Sequence, residues 1–307
     1  MARIIRGCSA WGGGRLLAAL STVLLLVASP PLSAAGIQIV DDTGARFTLT
    51  HPAQRIVSLA PGATEMLFAA GAGSKLLATV AYADQPDAAR RLPRIGDSNA
   101  IDMERLLVLK PDVVVYWPGG NNPAQIAQLR RLGFTLYGQQ VDRLAQLGAS
   151  LRRLGRLAGT EVAAQARAAQ LEQRLHQLTE RYSHATHLTV LLETWNQPLY
   201  TVGGPQLMSD VLGVCGATNV FGDLPQLSPA VQVEAVIARD PEVIIAAAPP
   251  GAGAQWLQAW RQFPALRAVR RGNLLDFQDQ ALSRLGPSVL DAATGLCALL
   301  DAARSRR

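Results

Sequence analysis

The chain has 307 residues, 49% hydrophobic and 17% charged, with a formal net charge of +6 and three cysteines. That length and apolar content suit two medium domains with filled cores, and the mild charge, with no basic run interleaved with aromatics, excludes a nucleic-acid binder. No CxxC and no Cys/His cluster occurs, so neither redox catalysis nor a structural zinc site is indicated.

The first 35 residues read as an export signal. Arg3, Arg6 and Arg15 form a basic region, Leu16 to Ala28 an apolar one, and Ser33-Ala34-Ala35 a small-residue cleavage site. The apolar run is short for a membrane span and Pro30 and Pro31 follow it, so a mature chain starting near Gly36 is expected. Removing the leader leaves 26 basic residues against 23 acidic, a net of +3. Cys8 goes with it, and the remaining pair, Cys215 and Cys297, points to a disulfide in an oxidising compartment.

Downstream, strand-like runs at Ile37 to Val40, Ile56 to Ala60, Leu77 to Tyr82, Val113 to Tyr116 and Thr135 to Tyr137 alternate with helical runs at Thr64 to Ala70, Asp102 to Leu109 and Pro123 to Leu132. This alternation predicts βαβ units on a mostly parallel sheet, over residues 36–142. Two of the strands share one grammar. RIVSLAPGATEMLFAAG and KPDVVVYWPGGN each end a buried strand in a turn rich in Pro and Gly and then start a helix. Ligands of open α/β sheets lie beyond the carboxyl ends of the strands, so both turns belong to one binding edge.

Residues 143–182 are rich in Ala, Leu, Gln, Arg and Glu, with leucines at 144, 147, 151, 154 and 157 and again at 171, 175 and 178. Spacings of three and four mark one apolar stripe on a long helix, with Gly159-Thr160 as a kink or a break. A stiff helical spine predicts two lobes at nearly fixed separation with a cleft between them. The second lobe, 183–307, repeats the alternation with strands Leu188 to Leu192, Val243 to Ala247 and Leu274 to Phe277, and helices near Pro205 to Val214, Val231 to Ala238, Gln255 to Phe263 and Pro287 to Ala303.

RIVSLAPGATEMLFAAG, VAYADQP, MERLLVLKPDVVVYWPGGN, VLGVCGATNVF and GLCALL, in this order and spacing, resemble the helical-backbone metal-receptor family of substrate-binding proteins, and within it the corrinoid receptors of ABC importers. The resemblance runs from about Arg55 to Leu300. It implies a class III periplasmic binding protein with two Rossmann-like lobes on a rigid backbone helix. It also implies a corrinoid such as cobalamin as transported ligand, no catalytic cofactor, a monomer, and the membrane subunits of an ABC importer as partner. The same fold serving haem or an iron siderophore is the alternative, with Tyr82 as the iron ligand.

Residue by residue, the resemblance places Gly62, Tyr82 and Trp117 on the first lobe's side of the cleft and Arg284, in the SRLGP segment, on the second lobe's side. A corrin offers flat apolar faces rimmed by amides, which aromatic planes and a few donors would match. Where the pattern has further tryptophans this chain has Ser98 and Ser228, and Trp195 and Tyr200 in ETWNQPLYTVGG could supply surface instead. Glu104 and Glu234 match the carboxylates, one per lobe, that dock on the importer. Catalysis has weak support: His176, His184 and His187 lie on or just after the spine, where His184 and His187 read as a solvated helix end sooner than a weak metal site, and no GxSxG, GxGxxG or P-loop occurs in a strand-to-helix setting. A secreted metal-dependent enzyme would need a cluster around Asp84, Asp97 or Asp279.

Overall fold

The computed structural model describes residues 36–306 apart from Ser98, Asn99 and Leu285; the leader read over residues 1–35 lies outside them. In chain order the first lobe contains β1 (Ile37–Val40), β2 (Arg46–Leu49), β3 (Ile56–Ser58), α1 (Pro61–Ala69), β4 (Leu76–Ala78), α2 (Met103–Leu109), β5 (Val113–Tyr116), α3 (Pro123–Arg131) and β6 (Leu136–Gly138). The spine follows as α4 (Leu147–Ala158) and α5 (Glu161–Tyr182). The second lobe has β7 (Leu188–Glu193), β8 (Trp195–Asn196), β9 (Leu199–Tyr200), α6 (Leu207–Val214), β10 (Ala217–Asn219), α7 (Val233–Arg239) and β11 (Val243–Ala246). It closes with α8 (Gly253–Trp260), α9 (Arg267–Arg270), β12 (Leu274–Asp276), α10 (Ala281–Arg284) and α11 (Val289–Arg304).

Each lobe is built on a four-stranded sheet, in the orders β4-β3-β5-β6 and β10-β7-β11-β12, and every pairing within the two sheets is parallel. Parallel strands covered on both faces read as continuous apolar runs, and Val113–Tyr116 and Val243–Ala246 are buried at every position. The lobes also share a local device. Asp112, just before β5, accepts the backbone N–H groups of Gln54 and Arg55 at 2.8 and 2.9 Å, and Glu242, just before β11, accepts that of Thr189 at 3.1 Å. In both, a Pro-acid pair ends a helix and its carboxylate fixes the start of the neighbouring strand.

The spine is two helices, not one. Gly159 ends α4 at φ 67°, a left-handed conformation that glycine adopts without penalty, and α5 restarts at Glu161. Gly155 sits where the helices cross: a Cβ there would lie 2.4 Å from the Cβ of Ala164, so the glycine permits the contact rather than merely weakening α4. One continuous apolar core contains Ile56, Val113 and Val115 of the first sheet, Leu151 and Leu154 of α4, Leu171 and Leu178 of α5, and Val190 and Ile245 of the second sheet. Cys215 and Cys297, both buried, form a disulfide that ties the end of α6 to α11. Among the described residues no helix is long and apolar enough to cross a membrane.

Several short elements differ from the sequence reading. The strand expected over Leu77 to Tyr82 stops at Ala78, β2 and β10 were unanticipated, and Arg284 closes the short helix α10 instead of standing in a turn. Three- and four-residue strands carry too few positions for a period to register.

Candidate functional site

The two expected turns do meet. The exit of β3 runs through Leu59 and Ala60 into α1, and the exit of β5 runs through Trp117 to Asn121. Asn121 stitches them: its Oδ1 accepts the backbone N–H of Trp117 at 2.7 Å and its Nδ2 donates to the carbonyl of Leu59 at 2.9 Å. The Trp117 indole folds back over its own turn, where a Cβ on Gly120 would lie 1.9 Å from its ring and one on Gly119 2.9 Å from Nε1. Gly119 and Gly120 are therefore what allow the indole to pack back against its own turn.

Tyr82 is the most unusual residue of the cleft. It is 80% exposed and adopts φ 63°, a conformation costly for an aromatic residue and characteristic of functional loops. Arg94 holds the loop that follows it, donating to the Ala83 carbonyl (3.1 Å), to Asp84 Oδ1 (3.1 Å) and to the Ala89 carbonyl (3.2 Å).

Gly62, Tyr82, Trp117 and Arg284 line one cavity of about 410 Å³ between the lobes. Gly62 lies in the first turn of α1, whose N-cap, Ala60, supplies no side-chain acceptor. Trp195 stands apart from that cavity, 49% exposed and packed edge-on against Trp256 at 5.8 Å. It borders an adjoining hollow of about 210 Å³ that shares Gln280 and Ser283 with the main cavity. Of the acids considered near the cleft, Asp84 lines the main cavity and Asp279 the hollow. No group of three or more His, Cys, Asp or Glu positioned to hold a metal occurs among the described residues.

Sequence reasoning missed three features here. Gln139, at the exit of β6, also lines the cavity; the strand-exit rule that found Trp117 pointed to this third turn as well. Asn121 appeared only as a turn residue. Glu65 of α1 is buried and accepts the backbone N–H of Ser288 (2.5 Å) and its hydroxyl (2.9 Å), with Arg284 Nε 3.9 Å away, so it bridges the lobes beside the cleft. Burial raises the Glu65 carboxyl above its ordinary range, and the two Ser288 bonds oppose that shift.

Glu104 and Glu234 occupy equivalent places. Each is the second residue of its helix, exposed, and without an ion-pair partner among the described residues. Exposed apolar side chains follow on the same helices, Leu107 and Val108 on α2 and Ile237 on α7.

The model of the periplasmic binding protein family matches residues 56–281. A vitamin B12-binding protein of Vibrio cholerae is 33% identical over 255 residues, covering 83% of this chain and 92% of that protein. One from Photorhabdus laumondii is 32% identical over 249 residues, covering 80% and 88%. Among solved structures, the periplasmic vitamin B12 binding protein BtuF of Vibrio cholerae aligns with a TM-score of 0.76 at 34% identity, over 82% of this chain and 98% of that one. A periplasmic heme binding protein from Pseudomonas aeruginosa aligns with a TM-score of 0.70 at 26% identity, over 80% and 92%.

Proposed function

This chain belongs to the periplasmic binding protein family, and on that premise we propose that it captures cobalamin or a related corrinoid between its lobes and delivers it to an ABC importer. The observation that carries the reading is the cleft itself: Tyr82 and Trp117 present aromatic surface from one lobe opposite Arg284 of the other. Such a wall suits the flat apolar face of a corrin, and Arg284 supplies a donor for its polar rim. The relatives named as vitamin B12-binding proteins support the same ligand class.

The mechanism is binding and hand-off without covalent chemistry. Gly62 leaves the first turn of α1 open to close approach, and Trp195 extends the surface on the second lobe. Residues 1–35 direct export and are removed, so the protein works in the periplasm. Glu104 and Glu234, one on each lobe, meet basic residues of the importer's membrane subunits.

Calorimetric titration of the chain from Gly36 onward with cyanocobalamin, cobinamide and haemin tests this. Corrinoid binding is expected, weakened by about 1–3 kcal/mol in Trp117→Ala, the range for losing a buried aromatic contact. Heat and a visible-spectrum change with haemin alone would overturn the corrinoid assignment in favour of iron ligation by Tyr82.

A further inference from the structure

Gln139 leaves an amide of the cleft wall unfinished. It is 4% exposed, lines the cavity, and its Nε2 has no hydrogen-bond partner in the protein. The main chain of this residue is fixed, because its backbone N–H donates to the Tyr116 carbonyl at 2.8 Å and continues the β5–β6 ladder. A buried amide without a partner is destabilising, whereas a leucine of similar size would carry no such penalty. Local rules are broken in this way mainly where function requires it.

The surrounding wall tells what would complete the amide. On Gln139's side Asp84 is already engaged by Arg94 and the first turn of α1 brings no side-chain acceptor; across the cleft Arg284 is ion-paired with Glu65 at 3.9 Å, its Nε without a hydrogen bond. The buried polar atoms of the cavity wall that lack a hydrogen bond, Gln139 Nε2 and Arg284 Nε, are both donors. Gln139 adds a donor and an acceptor side by side, a pattern matched by another primary carboxamide. A carboxylate would accept from Nε2 but would set its second oxygen against Oε1.

We infer that Gln139 is a specificity residue, whose carboxamide pairs with a rim amide of the bound macrocycle and favours amide-rimmed over carboxylate-rimmed ligands. This rests on the corrinoid reading above. The protein itself supplies no partner for the Gln139 amide, and the ligand does.

The test compares the parent chain with Gln139→Leu and Gln139→Glu by thermal melting without ligand and by titration with cyanocobalamin. Gln139→Leu should bind about tenfold more weakly while melting no lower than the parent, since one hydrogen bond is lost and an unpaired group removed. Gln139→Glu at pH 8 should bind more weakly still, and should recover relative to the parent as pH falls and its carboxyl regains a donor. Unchanged affinity in both variants, or affinity and melting temperature falling together in Gln139→Leu, overturns the inference. A parent chain that takes up no cyanocobalamin overturns the corrinoid reading itself and this inference with it.

Discussion

Glu193 shows how one buried side chain sets a property of the whole protein. It closes β7, is 2% exposed, and its Oε2 accepts the indole N–H of Trp260 at 2.8 Å. Burial lifts its carboxyl from 4.5 to about 7, against the smaller opposing effect of the Trp260 bond. Between about 4.5 and 7 the folded protein therefore holds a proton that the unfolded chain has released. Stability falls as pH rises through that window and levels off above it, by up to about 3 kcal/mol from this group. Asp42 and Glu65 are raised in the same direction, again chiefly by burial. Glu193→Gln keeps an acceptor for Trp260 and cannot ionise, so urea melts should show a shallower decline between pH 5 and 8 and greater stability than the parent at pH 8. The same decline in parent and variant would show that the charge on Glu193 does not matter.

At the scale of elements, the disulfide does for the second lobe what α4 and α5 do for the pair of lobes. It joins residues 82 apart in sequence, so it removes a large share of the freedom of the unfolded chain. Labelling of the denatured, unreduced protein from Gly36 should find no free thiol. Cys215→Ala with Cys297→Ala should lower stability by about 2–4 kcal/mol in denaturant melts. Finding two titratable thiols would remove the disulfide and with it one argument for an oxidising compartment. The expected parity of two cysteines was legible because no third remained after residue 35; that α6 and α11 lie side by side was not.

Across the whole molecule, a core shared by both sheets and the spine means that moving the lobes apart exposes apolar surface, which costs roughly 25 cal/mol per Å². The proposed docking carboxylates therefore stand on lobes whose separation the shared core resists. Reversing both, Glu104→Lys with Glu234→Lys, should abolish corrinoid uptake in cells while calorimetry finds affinity unchanged, because like charges facing each other across an interface cost several kcal/mol. Each single reversal should cause partial loss. Normal transport by the double variant would refute the docking role, and loss of ligand binding would assign these glutamates to the cleft or the fold.

The strand–turn–helix grammar was readable because it is local. Val113–Tyr116 announces a covered strand by its unbroken apolar run, and Pro61, Gly62 and the Trp117-to-Gly120 turn announce where the chain leaves the sheets, on the turns that line one cavity. The leucine spacing of the spine and the helix positions of Glu104 and Glu234 were local for the same reason. What the tertiary structure decided lies between distant residues or in backbone angles. The Glu65 bridge to Ser288 spans 223 residues, Asn121 joins the exits of two strands, and Tyr82 takes a left-handed conformation just before a loop that Arg94 holds. The unpaired amide of Gln139 is the clearest case, because whether a donor finds a partner depends on every side chain packed around it, which a glutamine two residues after Tyr137 cannot announce in sequence.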